Sequence, residues 1–458
     1  MDARPMPSPD PAPDPLAPDD AAAHPAPRPE AVPRTADVVI IGGGIVGAAS
    51  AWYLARRGAR VVLVEKDRVA GQQSGRNWGF VRTQYRDPAE LPLAVEALSI
   101  WPGLAAELEQ DIGWRRTGCV FLAGDEAERA RFQAWQQANR QAARDARLLS
   151  PAEVAGLLPA LAGRADGALY TPSDGQAEPM LATRAFARAA ERAGARVLEG
   201  CGALAIETEG GRVAGVRTEH GPIRCRTVVC AAGAQSHRFL APLGLPLPQQ
   251  VVRSTVSLTT PVTDLPRACF CGFGLGLRQR ADGACIIADD ARTDVDLTLD
   301  SFRAARFFVP ELLRQRRSFA LHLGRGFVDE LRHRLTTPRE DRPLLPRRPR
   351  IPANAVRAAR TLERLRARFP GAGAVGIARS WAGLIDVLPD ALPVIDRPGA
   401  VPGLVVATGF SGHGFGLGPA VGRHVASLAL GEAAAEAIRP FALDRFARGT
   451  FGRPHASL

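Results

Sequence analysis

Short apolar runs alternate with helical patterns along most of the chain. Ala36 to Ile41 reads as an apolar run rich in β-branched residues, the composition of a strand buried on both faces of a parallel sheet. Glycines at 42, 43, 44 and 47 form a turn, and Ile45 to Arg57 follows as a helix stopped by Gly58. Arg60 to Val64 is the next strand, closed by Glu65. Two strands joined by a crossover helix pair in parallel. Pro88 to Leu149 reads as mainly helical, and Ala177 to Ala193 as an alanine-rich helix before a strand from Ala195 to Glu199. A hairpin is expected from Ala203 to Thr208 and Arg212 to Thr218, then a buried strand from Thr227 to Ala231 ending at Gly233. Residues 246–300 alternate as short strands, and 301–369 hold two arginine-rich helical stretches around a Pro/Arg loop. Leu404 to Ala407 is again a strand, followed by a glycine-rich turn and a helix through Leu430.

Bulk composition narrows the class. A chain of 458 residues has room for two domains. The net charge of +11 comes almost wholly from arginine, Lys66 being the sole lysine, and the arginines are scattered, so no nucleic-acid partner is expected. The densest basic run is Arg342 to Arg350, interrupted by prolines and leucines. Seven cysteines show no CxxC spacing or His/Cys cluster; no metal site is expected, and the thiols read as reduced and cytoplasmic. Residues 1–34 are rich in Pro, Ala and Asp and are read as a disordered arm, not a signal peptide. Val38 to Ala55 approaches membrane-spanning length, but its glycines mark a strand-turn-helix, so no span is expected.

The chemistry starts in that turn. Gly42-x-Gly44-x-x-Gly47 follows a strand, opens a helix, and precedes by 23 residues the acidic Glu65 at the end of the second strand. Gly42 permits the turn, Gly44 lets the backbone approach a pyrophosphate, and Gly47 lets helix pack on strand. The helix start at Ile45 and Val46 offers N–H groups and a positive dipole end to phosphates, and Glu65 suits ribose hydroxyls. Two further strand-to-glycine elements, Val228 to Gly233 and Ala407 to Gly416, lie far downstream. A dinucleotide touching three separated strand ends favours FAD over NAD.

The segments GGGIVG, GQQSGRNWG (Gly71 to Gly79), VVCAAGAQS (Val228 to Ser236), WAGLIDVLPDALPVI (Trp381 to Ile395) and ATGFSGHGFGLGP (Ala407 to Pro419), taken together, resemble the D-amino-acid oxidase family of flavoproteins, which includes glycine oxidase, sarcosine oxidase and D-amino acid dehydrogenase. The resemblance covers residues 36 to about 435. It implies an α/β architecture: a discontinuous Rossmann-like FAD-binding domain (35–100, 175–240 and 376–440) and an α+β substrate domain on a largely antiparallel sheet (101–174 and 241–375), with 441–458 as a C-terminal tail. By similarity Ser74, Arg76 and Asn77 line the pyrophosphate and flavin edge, Ala203 meets the adenine, and Ala232 and Gly233 back the ADP moiety. Lys66 adjoins the adenosine end. Gly412, His413, Gly414, Phe415 and Gly416 bring helix N–H groups to flavin N1 and C2=O, where reduction leaves negative charge.

Three departures from the family pattern matter. Ile385 stands where relatives carry a carboxylate-binding arginine, Gly416 where some carry a lysine, and Gly383 where some carry the cysteine that anchors flavin covalently. Non-covalent FAD is therefore expected, and Arg82, within Phe80 to Tyr85, is nominated to hold a substrate carboxylate. His413 is the second catalytic candidate, to polarise the flavin carbonyl or contact substrate. Trp381 is read as core packing. Asp386 is left between a substrate amine and a nearby arginine, with Arg278 and Arg379 as other carboxylate holders. The expected reaction is oxidation of the C–N bond of an amino acid or secondary amine by hydride transfer to flavin N5, giving an imine that hydrolyses. O2 or a quinone or protein is the electron acceptor, the latter slightly favoured because Lys66 is remote from the flavin. The alternatives are the FAD-carrying subunit of a hetero-oligomeric dehydrogenase and a tRNA-modifying flavoenzyme.

Overall fold

The computed structural model describes residues 31–263, 265–314, 318–338, 341–344, 346–349 and 351–455. Most of the expected arm therefore lies outside the described residues. At its end, Val32 packs against the core, and the Arg34 carbonyl accepts the Arg224 N–H.

Two large sheets organise the chain. The first has six strands in the order Val394–Asp396, Leu404–Thr408, Thr227–Cys230, Val38–Ile41, Val61–Val64, Arg196–Leu198, parallel except for the first pair. Side chains alternate across it: Val38 and Ile40 enter one apolar core, Val39 and Ile41 the other. That is why the strand reads as uniformly apolar. Helices cover one face, among them Ile45–Arg56, Pro179–Arg192 and the terminal Gly414–Ala429. The first and last lie backbone to backbone because Gly418 and Gly422 face Ile45 and Ala49, where any Cβ would collide. A three-stranded antiparallel layer, Ala203–Glu209, Arg212–Thr218 and Gly221–Arg224, covers the other face, adding one strand to the expected hairpin.

The second sheet has ten strands and is antiparallel except for two pairs, Cys119–Ala123 with Cys269–Gly272 and Thr293–Asp296 with Phe319–His322. Its centre is the pairing of Gln250–Thr259 with Ile377–Val387. Residues 377–387, read as part of the FAD-binding domain, thus belong to this sheet by hydrogen bonding. The stretch read as helical from Pro88 to Leu149 contains the strands Cys119–Ala123 and Arg147–Leu149. Trp101, Leu104, Leu108 and Ile112 extend the helical core beyond residue 100. Between residues 298 and 369 the described residues form three α-helices, not two: Leu299–Arg314, Arg325–Thr336 and Ala355–Arg368. The segment read as a tail is tied down. Phe441, Leu443 and Phe446 are buried, and Arg445 grips Asp390 at 2.8 Å. No described helix is long and apolar enough to cross a membrane.

Candidate active site

A cavity of about 970 Å³ runs between the two sheets, from the glycine turn to the strands of the antiparallel sheet. Gly42, with φ of +110°, turns the chain across the end of the neighbouring strand, where a Cβ would strike the Ala231 carbonyl. A Cβ at Gly44 would stand 2.9 Å from Ser74 Oγ, filling the cradle at the helix start. Ser74 Oγ accepts the Ile45 N–H at 2.9 Å, and Val46 also lines the cavity. Gly47 lies behind this wall, packed on the Gly42 carbonyl, so its role is structural. Glu65 closes the second strand, its Oε2 accepting Gly43 N–H at 2.7 Å and its Oε1 accepting Asp67 N–H at 2.9 Å. Burial raises its pKa, partly offset by those donors.

Lys66 sits beside it, its ammonium lowered to about 8 by burial and donating to the Pro346 carbonyl at 3.0 Å. The described residues of the Arg342 to Arg350 run sit at this end. Arg348 pairs with Asp67 at 2.6 Å, Arg347 bonds Glu219 and the Lys66 carbonyl, and Pro343 and Pro349 line the cavity. The run closes over the end where Ala203 begins its strand. Ala232 and Gly233 complete this half of the wall, and Gln73 ties them to the next part by accepting Ala234 N–H at 2.9 Å.

Farther along, Arg76 donates to the Gly71 and Ala382 carbonyls, and Asn77 is folded into its own turn, donating to Ser74 O and accepting Gly79 N–H. Gly383 faces Arg76, whose Cβ would be 3.1 Å from an added Cβ, so a cysteine there has no room unless Arg76 moves. Asp386 contacts neither an amine site nor an arginine through the bonds that hold it: it accepts from Gln73 at 2.7 Å, Gln249 at 3.0 Å and Gly409 N–H at 2.8 Å, clamping the glycine-rich turn to the sheet. Burial raises its pKa. Trp381 is core, its Nε1 donating to Arg76 O.

The terminal helix begins at Gly414, with Gly412, His413, Gly414 and Phe415 lining the cavity. Gly416 faces the Phe80 carbonyl and Val81 instead, behind the wall. His413 Nδ1 lies 2.9 Å from Glu90 Oε2, and the same carboxylate accepts from Arg86 Nη1 at 3.2 Å. Arg86 Nε in turn holds the Arg82 carbonyl at 3.2 Å. Burial pushes the Glu90 carboxyl up, but His413 and Arg86 draw it down to about 2. Burial, reinforced by Arg86, lowers His413 to about 4. An ionised carboxylate only accepts, so Nδ1 carries the proton and Nε2 is the ring's acceptor. A neutral His413 of this tautomer has no Nε2 proton with which to polarise a carbonyl. Glu90 and Arg86 were not legible as site residues in the sequence, because His413, which brings Glu90 to the site, lies 323 residues farther along the chain.

Arg82 lines the cavity with its guanidinium 5.2 Å from the Phe121 ring and a hydrogen bond to the Gln84 carbonyl. Arg278 is elsewhere, buried and bidentate to Glu178 at 2.7 and 2.9 Å, which removes it as a carboxylate holder. Arg379 does not line the cavity.

A glycine cradle at a helix start, an acidic strand end and a long cleft between a parallel and an antiparallel sheet define a dinucleotide-dependent oxidoreductase of the two-domain flavoenzyme class. The profile of the FAD dependent oxidoreductase (DAO) family matches residues 37–428, and the chain belongs to that family. Its cofactor is FAD. A sarcosine oxidase subunit beta from Rhizobium meliloti is 26% identical over 90% of this chain and 89% of its own length. A D-amino acid dehydrogenase from Paramagnetospirillum magneticum is 27% identical over 89% and 98%. The solved L-amino acid deaminase from Proteus myxofaciens superposes with a TM-score of 0.86 at 28% identity, covering 92% of this chain and 95% of that one. The chain is thus an FAD-dependent amino acid or amine oxidoreductase.

Proposed function

We propose that the protein oxidises the C–N bond of an α-amino acid, with Arg82 holding the carboxylate. The observation that carries this is the state of Arg82: it lines the cavity beside the helix start, yet its bonds are to a carbonyl and an aromatic face and not to any carboxylate among the described residues. Bound FAD supplies a hydride acceptor at N5. The protein's part is positioning. Arg82 offers two parallel N–H donors to a carboxylate, and His413 Nε2 accepts from the substrate amine, favouring the orientation in which its lone pair is free. His413, lowered to about 4, is too weak a base to keep the amine's proton. The N–H groups at the start of the Gly414–Ala429 helix would meet the cofactor, and the aromatic walls Phe80, Phe121 and Phe410 would exclude water. FAD held without a covalent bond accords with Gly383. Reoxidation by a quinone or protein is favoured over O2, since Lys66 lies at the Glu65 end of the cavity.

Anaerobic bleaching of the bound flavin by a panel of D-, L- and N-methyl amino acids and their decarboxylated amines tests the reading. Reduction by amino acids and not by the amines supports it; the reverse order overturns it.

A second reading, that the chain is the FAD-carrying subunit of a hetero-oligomer, has its own observations. The match to a sarcosine oxidase subunit beta runs nearly end to end. Phe302, Leu313, Val328 and Leu335 also expose apolar side chains on the helices Leu299–Arg314 and Arg325–Thr336. Copurification with a second polypeptide at equal stoichiometry tests it.

A further inference from the structure

Most charged side chains on the cavity wall are already answered by the protein. Asp390 is paired with Arg445 at 2.8 Å, Glu128 with Arg131 at 3.6 Å, Arg86 with Glu90 at 3.2 Å, and Asp386 is held by four donors. Asp289 is bound by Arg357 at 3.1 Å and Arg364 at 3.0 Å. Arg82 and Asp290, of opposite sign, also line the cavity, and neither has a salt bridge among the described residues.

Asp290 follows the strand Cys285–Ala288. Its neighbours are the Gly272 N–H, the like-charged Asp289, and Arg364, whose Nη1 is committed to Asp289 and to the Gly274 carbonyl at 2.7 Å. Behind it Asp294 takes up the rest of Arg357 at 2.7 Å. Asp294 is also held by His322 at 2.8 Å, so of these carboxylates Asp290 is the one with no salt bridge among the described residues. Burial and then Asp289 raise it to about 6, as expected of an anion short of a counter-ion. Ala288, two residues before Asp290, pairs with Val256 and Val256 with Trp381, two residues from Gly383, so the strand that leads to Asp290 runs about two strand spacings, roughly 10 Å, from the one that carries Gly383. Arg82 lies over Phe121, which pairs with Cys271.

We propose that Asp290 selects substrates bearing a second, non-reacting cation, so that the preferred amino acids are those with an ammonium or guanidinium side chain. The reacting amine is not its partner: a C–N bond gives up hydride when the nitrogen lone pair is free, and a carboxylate beside that nitrogen would hold it protonated. A four-carbon or guanidino stem reaching away from the reacting carbon brings its charge to Asp290 instead. The class of amino acid rests on the proposed role of Arg82; the demand for a cation at Asp290 does not.

The test is anaerobic flavin reduction of the FAD-loaded protein by lysine, arginine and norleucine in both chiral forms, and by cadaverine and pentylamine, in wild type and Asp290→Asn. Wild type is expected to favour lysine over norleucine by roughly ten- to a hundredfold in the second-order rate, because an unpaired buried carboxylate rejects the apolar analogue. In Asp290→Asn that ratio falls to near one, with lysine slowed and norleucine quickened, while the flavin spectrum holds. Equal rates for lysine and norleucine in wild type need no variant to overturn the proposal, and so does an equal slowing of both in Asp290→Asn. If only the amines react, the amino-acid reading falls, and Asp290 keeps its role if cadaverine outruns pentylamine in wild type alone. No reduction by any of the five overturns both.

Discussion

Glu90 and His413 are 323 residues apart in the chain, and their carboxylate and imidazole lie 2.9 Å apart in the fold, joining the terminal helix to the segment that carries Arg82. Glu90 is wholly buried between His413 and Arg86. Removing one member of such a group leaves a charge without its partner. Glu90→Leu is expected to cost about 3–5 kcal/mol in denaturant unfolding, and the double variant Arg86→Met/Glu90→Leu to cost less than the sum of its singles. Additive costs would show that the two groups are not coupled.

The same pair sets a pH dependence. His413 is lowered from 6.5 to about 4, so between those values the unfolded chain binds more protons than the folded one, and stability falls as pH drops through that window. Glu90, lowered from 4.5 to about 2, contributes stability that is present above 4.5 and is lost as pH falls toward 2. Asp174, raised to about 6 by burial, works in the opposite sense between 3.8 and 6. Thermal midpoints of wild type and His413→Asn, compared from pH 7 to 4, isolate the histidine: wild type should lose more. Parallel curves would mean His413 is not held neutral.

The glycine turn, its two strands and the helix between them were legible because each is specified by local pattern and the strand is apolar on both faces. Glu65 was placed for the same reason. Pairing across the sheets was not legible. Ile377–Val387 has a mixed pattern with a continuous apolar run from Trp381 to Ile385 that either sheet accepts, and only its register with Gln250–Thr259 assigns it to the second. Asp386 could be found as a buried acid near the site but not as a clamp, since Gln73 and Gln249 are 313 and 137 residues away. The Arg342 to Arg350 run read as part of the scattered arginine bias; its partners Asp67 and Glu219 lie 281 and 128 residues away from Arg348 and Arg347.

That run predicts how FAD is retained. Arg348 and Arg347 close the loop over the Lys66 end of the cavity, so loss of the Arg348–Asp67 pair, at 2.6 Å and largely sheltered, should open it. Arg348→Ala is expected to weaken FAD binding about tenfold, equivalent to about 1.4 kcal/mol. Flavin fluorescence on dilution reads the release directly, and an unchanged release rate would remove the loop from the cofactor site.

Non-covalent attachment is equally direct to check. Acid precipitation should leave all the flavin in the supernatant, because Gly383 offers no nucleophile and Arg76 occupies the space beside it. Gly44→Val should purify without flavin, since its Cβ would crowd Ser74 Oγ where the phosphates approach. Yellow protein from that variant would mean the cradle lies elsewhere.

Arg82 carries the most exposed prediction. Its guanidinium is oriented by the Gln84 carbonyl and the Phe121 face, and its backbone by Arg86, so the side chain is preorganised before any ligand arrives. Charge-assisted hydrogen bonds contribute about 1.5–3 kcal/mol each. Arg82→Ala should then lower the catalytic efficiency for an amino acid by roughly ten- to a few hundredfold, at tenfold per about 1.4 kcal/mol, while FAD content is unchanged. Arg82→Lys should recover only part, because a point charge cannot reproduce a planar fork and sits less well on Phe121. For the decarboxylated amine the variants should match wild type, since that substrate never used the guanidinium. A loss shared equally by acid and amine would instead show that Arg82 supports the cavity wall, and the carboxylate would need another partner.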